Sequence, residues 1–153
     1  KQPSEMDVAH LPAQVWWAAL QARYEHDDVQ FFADAIDATS LPQDLFDSVV
    51  DNLLTNALRK RQSEPGIAVE ARLTLHPLIS LSVTDSGTPA PDHVARNLFL
   101  SPVASDFGLG VGLYQAARQA ARSGYRLELT DNQAGRVTFC LQATDSRPQD
   151  RRG

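Results

Sequence analysis

The sequence is short of the residues that would commit it to several protein classes. Its 153 residues include one cysteine, so no internal disulfide framework can form and a reducing compartment suits it. Basic charge is in deficit: 14 Lys and Arg stand against 19 Asp and Glu, a formal charge of −5. A general nucleic-acid binder needs a basic face, and that balance argues against one. No apolar run approaches the roughly 18 residues of a membrane span, and no signal-peptide pattern opens the chain. Glycine is scarce as well. Yet of only eight, three fall together at Gly108, Gly110 and Gly112.

What is present is ordinary for a soluble globular domain, with 42% hydrophobic and 22% charged residues. The length suits one domain with a single core. The ends are polar, so residues 1–7 and 145–153 read as linker and solvated tail around a domain spanning residues 8–144. A chain opening on Lys1 rather than Met is expected to be a piece of something longer. No internal repeat or low-complexity segment is visible.

Helix and strand signals alternate. Pro12 to Tyr24 carries Val15, Trp16, Ala19, Leu20 and Arg23 at helical spacing, with Trp16 expected in the core and Trp17 more exposed. Val29 to Ile36 reads as a strand. Ser40 and Gln43 have capping-box spacing before a long amphipathic helix through Leu45, Phe46, Val49, Val50, Leu53, Leu54, Ala57 and Leu58. Ile67 to Leu75 alternates as a half-buried strand, His76-Pro77 marks a turn, and Leu78 to Val83 completes a hairpin. A short helical piece is expected around Asp92 to Phe99. Leu113 to Arg122 is a second clear helix, capped by Gly124. Tyr125 to Thr130 and Arg136 to Gln142 form a last hairpin, and Cys140 is expected to be an inert buried thiol. This order predicts an α+β, two-layer sandwich, with a mixed, mostly antiparallel sheet covered on one face by helices.

Three constellations carry chemistry. Asn52 and Asn56 lie four residues apart on one helix face, with Arg59 and Lys60 continuing that stripe. Carboxamide oxygens and a cation there suit a hydrated Mg²⁺ and phosphate oxygens. Asp85-Ser86-Gly87 ends a strand, offering an acceptor for an exocyclic amine and a glycine that lets a ring approach the backbone. Gly108-Leu109-Gly110-Val111-Gly112-Leu113 runs into a helix, whose N-terminal N–H groups and dipole favour an anion. The G-x-G-x-G spacing is neither a dinucleotide fingerprint nor a P-loop.

Taken in order, these segments resemble the ATP-binding catalytic domain of sensor histidine kinases. That domain shares a superfamily with gyrase B, Hsp90 and MutL ATPases. Residues 52–59 resemble the family's N box. Asp85-Ser86-Gly87 and residues 108–113 resemble its two glycine boxes. Leu98-Phe99 and Pro102 are similar to its short aromatic box, and Gly135 to Phe139 to its final strand. Lys60 departs from the aromatic or His common at its position, and Pro89 replaces a second glycine.

The resemblance implies a histidine-kinase/Hsp90-like ATPase fold that binds ATP and Mg²⁺. It places Asn56 on Mg²⁺, Asn52 near the phosphates, and Arg59 facing phosphate with Lys60 beside it. It sets Asp85, with Gly87, against the adenine amino group, and Thr138 near the adenine. Gly108, Leu109, Gly110, Gly112 and Leu113 would meet the triphosphate under a lid spanning about residues 89–107. The implied reaction is γ-phosphate transfer to a histidine on a separate dimerisation domain, expected upstream of Lys1, with a response regulator downstream. None of His10, His26, His76 and His93 has the setting of a phosphoacceptor. The fragment alone is therefore expected not to label itself. Asp51 points about 100° away from the asparagine face, which favours phosphotransfer over hydrolysis. Neither nucleic acid nor membrane is an expected partner of this segment. The resemblance implies a cytoplasmic domain whose parent is anchored in the bacterial inner membrane. Two other readings stay open: a degenerate nucleotide-sensing or interaction module, and an anti-sigma-type serine kinase.

Overall fold

A computed structural model describes residues 9–100 and 110–144. The elements run β1 (His10–Pro12), α1 (Ala13–Arg23), β2 (Gln30–Asp34), β3 (Ser40–Pro42) and α2 (Gln43–Ser63). They continue β4 (Val69–Thr74), β5 (Ser80–Asp85), α3 (Asp92–Asn97), α4 (Gly110–Arg122), β6 (Tyr125–Gln133) and β7 (Arg136–Ala143). β1 and β3 form a small antiparallel ribbon. The other five strands form the main sheet in the order β2-β4-β5-β7-β6. Among the described residues, only β2 and β4 pair in parallel within it. The α+β, two-layer arrangement expected from the sequence is the one observed.

Alternation sorts the sheet into two faces. Val69, Ala71 and Leu73 on β4, Leu81 and Val83 on β5, and Val137, Phe139 and Leu141 on β7 are buried under the helices. Their neighbours turn outward, where Arg72 lies over the ring of half-exposed Phe32, 4.8 Å from its centroid. α2 supplies the matching stripe with Leu45, Phe46, Val49, Val50, Leu53, Leu54 and Ala57, all buried. Burial of each larger side chain in that stripe contributes roughly 1.5–3 kcal/mol. This seam fixes the rotation of α2 about its axis and thereby the direction of its polar face.

Four local expectations are corrected. Ser40 does not cap α2. It belongs to β3, Pro42 occupies the N-cap, and no side chain caps the helix. Trp17 is only 5% exposed. Consecutive helical residues point about 100° apart, and α1 is covered on both sides: Trp16 meets Phe46 edge-on, whereas Trp17 meets Phe31 of β2. The last hairpin turns at Ala134-Gly135, because β6 extends to Gln133. Cys140 lies on the outer face, half-buried, with its Sγ 3.3 Å from the Ser80 hydroxyl. Gly124 follows α4 with φ +81°, a left-handed conformation suited to glycine.

Candidate functional site

The site grows from the polar face of α2. Asn52 and Asn56 project from successive turns, and the three cations that follow them diverge. Arg59 Nη1 donates to Asn56 Oδ1 at 3.2 Å. Lys60 Nζ donates to Asp85 Oδ1 at 2.9 Å. Arg61 turns to the far side and donates to the carbonyls of Asp27, Asp28 and Ile67. Arg61 is thus tied into the loop before β2.

Asp85 ends β5 on the helix-facing side and is 6% exposed. Its Oδ1 also accepts the Gly87 N–H at 2.9 Å. Among the described residues, Oδ2 takes no hydrogen bond. A buried carboxylate oxygen with an open lone pair is an acceptor prepared for an N–H donor. Gly87 forms the wall beside it. A Cβ there would lie 2.8 Å from Glu64 Oε1 and 2.9 Å from Lys60 Cε. Glu64 Oε1 in turn accepts from both the backbone N–H and the hydroxyl of Thr88, at 2.9 Å each. Glu64 is a neighbour of the site that the sequence reading missed. Its signal was available, since it follows α2 directly, four residues beyond Lys60.

The glycine-rich segment enters from the other side. α4 starts at Gly110, and its Gly112 runs against α2 so closely that a Cβ would collide with Asn52 Oδ1. The structure therefore brings Asn52 and Gly112 together. Leu113 is fully buried in the core, so its side chain packs the domain. Gly108 and Leu109 lie outside the described residues, as do Pro102 and the later part of the proposed lid. Within the described part, Leu98 is buried and Phe99 meets Phe139 edge-on at 6.3 Å. Ala90 and Asn132 exchange two 2.9 Å hydrogen bonds, backbone to carboxamide in both directions.

Thr138 is not brought to the site. Its hydroxyl lies 2.8 Å from that of Thr84, its cross-strand partner. Thr84 precedes Asp85, so the two point to opposite faces. Val137 is the β7 residue opposite Asp85 on the helix side. Asp51 is also elsewhere, accepting from Tyr24 Oη and Arg23 Nη2 on the α1 side. Burial first, and then that hydrogen bond, push the Tyr24 hydroxyl up to about 12.

The residues fit a nucleotide with a hydrated cation. Neutral carboxamide oxygens on Asn52 and Asn56 are hard donors that suit Mg²⁺ alongside water and phosphate oxygens. Among the described residues no cluster of His, Cys, Asp or Glu could hold a metal ion by itself.

A family model described as histidine kinase-, DNA gyrase B- and HSP90-like ATPase matches residues 42–145. The chain belongs to this family. The matched stretch contains every site element above. Of the described elements, only β1, α1, β2 and most of β3 precede it. No match was found among the curated proteins. Solved structures of histidine kinase domains share the ATPase-family fold. The nucleotide-free catalytic domain of histidine kinase ThkA is 18% identical with a TM-score of 0.69, covering 89% of this chain and 94% of its own. The histidine kinase domain of the blue-light activated kinase from Erythrobacter litoralis EL346 is 18% identical with a TM-score of 0.62, covering 91% and 68%. ThkA in complex with the response regulator TrrA is 17% identical with a TM-score of 0.67, covering 94% and 43%. Among the described residues no helix is long and apolar enough to cross a membrane.

Proposed function

We propose that this domain binds Mg-ATP and donates the γ-phosphate to a histidine on a separate dimerisation domain of the same protein. The observation that carries the reading is the buried Asp85 carboxylate. Its open oxygen can accept from an adenine amino group, at the strand end facing the polar side of α2. Asn56 would hold the metal, with Asn52 beside it and the backbone of residues 108–112 along the phosphates. Arg59 would move between the Asn56 oxygen and phosphate. Bound Mg²⁺ supplies charge neutralisation on the triphosphate. The chain's residues supply position, since phosphoryl transfer asks for little covalent chemistry from the protein. Asp51, engaged toward α1, is not offered to activate water. That favours transfer over hydrolysis. The same reading makes the domain cytoplasmic, part of a membrane-anchored parent signalling to a response regulator, and unable to label itself alone.

Isothermal titration with Mg-ADP tests the first half. The wild-type domain is expected to bind, and Asp85→Asn to lose most of that affinity. Radiolabel transfer from γ-labelled ATP to the protein's own dimerisation domain tests the second half. Nucleotide binding without transfer would leave a sensing module. Label on a serine of a partner would point to a serine kinase instead.

A further inference from the structure

Between Asp85 and α3 the chain runs Ser86-Gly87-Thr88-Pro89-Ala90-Pro91, and every backbone N–H it possesses is taken. Ser86 N–H donates to the Ala68 carbonyl at 3.0 Å, and Gly87 N–H to Asp85 Oδ1 at 2.9 Å. Thr88 N–H goes to Glu64 Oε1 and Ala90 N–H to Asn132 Oδ1, each at 2.9 Å. Pro89 and Pro91 have no N–H to offer, and their rings fix φ. The Gly87 carbonyl also accepts the Gly135 N–H at 3.0 Å. The end of α2, the chain before β4 and the β6–β7 hairpin thus hold one short segment.

Asn132 reaches that segment because β6 is irregular. Leu127 and Leu129 stand opposite Leu141 and Phe139, on the helix-facing side. Unbroken alternation would put Asp131 on that side next and turn Asn132 outward. A register shift between Leu129 and Asp131 instead sets Asp131 opposite Thr138 and Asn132 opposite Val137. Val137 is itself opposite Asp85. The bulge therefore brings a neutral carboxamide, rather than a second carboxylate, into line with the Asp85 carboxylate. Asp131 is left on the far face with Gln133 and Arg136. The Asn132 carboxamide then pairs with Ala90 as a peptide group of a neighbouring strand would, accepting the N–H and donating to the carbonyl.

We infer that Asn132 and Glu64 are positioning residues of the site, holding residues 86–91 as a preformed wall beside Asp85. The inference rests on the nucleotide-binding reading above. Neither side chain has to touch the nucleotide. Their effect passes through Ala90 and Thr88 to Gly87, whose N–H fixes Asp85 Oδ1. Ordering a loose segment at the moment of binding subtracts from affinity, and a segment ordered beforehand avoids that loss.

The experiment combines Mg-ADP titration with amide hydrogen exchange at Gly87 and Thr88 in the nucleotide-free protein. The proteins are wild type, Asn132→Ala, Glu64→Ala, Glu64→Gln and Asp131→Ala, each checked for folding by thermal unfolding. Asn132→Ala and Glu64→Ala are each expected to weaken Mg-ADP binding by about three- to tenfold and to speed exchange at Gly87. Glu64→Gln keeps an acceptor for Thr88 and is expected to stay within about twofold of wild-type affinity. Asp131→Ala, which loosens the same hairpin from its other face, is expected to do likewise. Wild-type affinity in folded Asn132→Ala or Glu64→Ala overturns the inference. So does an equal loss in Asp131→Ala, which would show only general support from the hairpin. Should Asn132→Ala fail to fold, the Glu64 pair decides: a loss in alanine that glutamine restores upholds the wall, and equal affinities overturn it. A wild type that binds no Mg-ADP overturns the nucleotide-binding reading, and the role in binding with it, whatever the exchange shows.

Discussion

The backbone of Gly112 in α4 passes so close to Asn52 of α2 that one added methyl group would meet the carboxamide oxygen. Two boxes separated by some sixty residues are thereby in van der Waals contact. Gly→Ala inside a helix ordinarily stabilises by roughly 0.5–1 kcal/mol. In Gly112→Ala the methyl instead displaces Asn52. The stability of this variant is expected to change by less than about 1 kcal/mol, whereas its Mg-nucleotide affinity falls. Titration calorimetry in a double-mutant cycle with Asn52→Ala checks this. With Asn52 already truncated, the alanine should cost almost nothing further.

Arg61 provides the opposite case, a cation beside the site that serves the fold. Its three hydrogen bonds to the carbonyls of Asp27, Asp28 and Ile67 anchor the last turn of α2. Arg61→Ala is expected to lower stability by about 1–3 kcal/mol without changing nucleotide affinity in the folded protein. Urea denaturation paired with titration separates the two. A large affinity loss at unchanged stability would instead place Arg61 among the phosphate-binding groups.

Acid should act at the turn before β3. Asp37 is lowered from 3.8 to about 2, first by the Thr39 hydroxyl, then by His76 and the Thr39 N–H. A carboxylate depressed on folding stabilises above its unfolded value, and that stabilisation is lost as pH falls through the folded one. Melting temperatures of the wild type should therefore drop more steeply than those of Asp37→Asn between pH 4 and pH 2. At neutral pH the variant should be the less stable protein. Parallel curves would remove Asp37 from the acid response.

Trp17→Ala is expected to destabilise by about 3–5 kcal/mol, the cost of truncating a buried aromatic. It would leave Phe31 of β2 without its edge-on partner. Thermal unfolding measures it. A loss below about 1 kcal/mol, typical of an exposed site, would contradict the burial.

The parts of the fold that were legible in the sequence are those written as periodic burial. α2 shows its stripe because one face is packed along its whole length, and that stripe also fixes where Asn52 and Asn56 point. The β4–β5 hairpin shows because alternation is clean on both strands. Trp17 was misread because α1 is covered from two directions, so a single-stripe rule fails. Thr138 was misplaced because Val137, Thr138 and Phe139 are all buried. A run without alternation hides which face each residue takes, and a hydroxyl pair across the sheet is invisible in one strand. Ser40 had capping-box spacing, yet its segment went into the ribbon with β1. The Lys60–Asp85 pair joins a helix to a strand end across 25 residues, and only packing reveals it.

The outward turn of Cys140 has a practical consequence. It is the chain's single thiol, and it sits half-buried on the sheet face opposite Asp85. A maleimide-linked dye or spin label attached there would report from the back of the domain, leaving the base acceptor and the α2 carboxamides untouched. The chain comes with one chemical handle, already directed away from the surface that observation must not disturb.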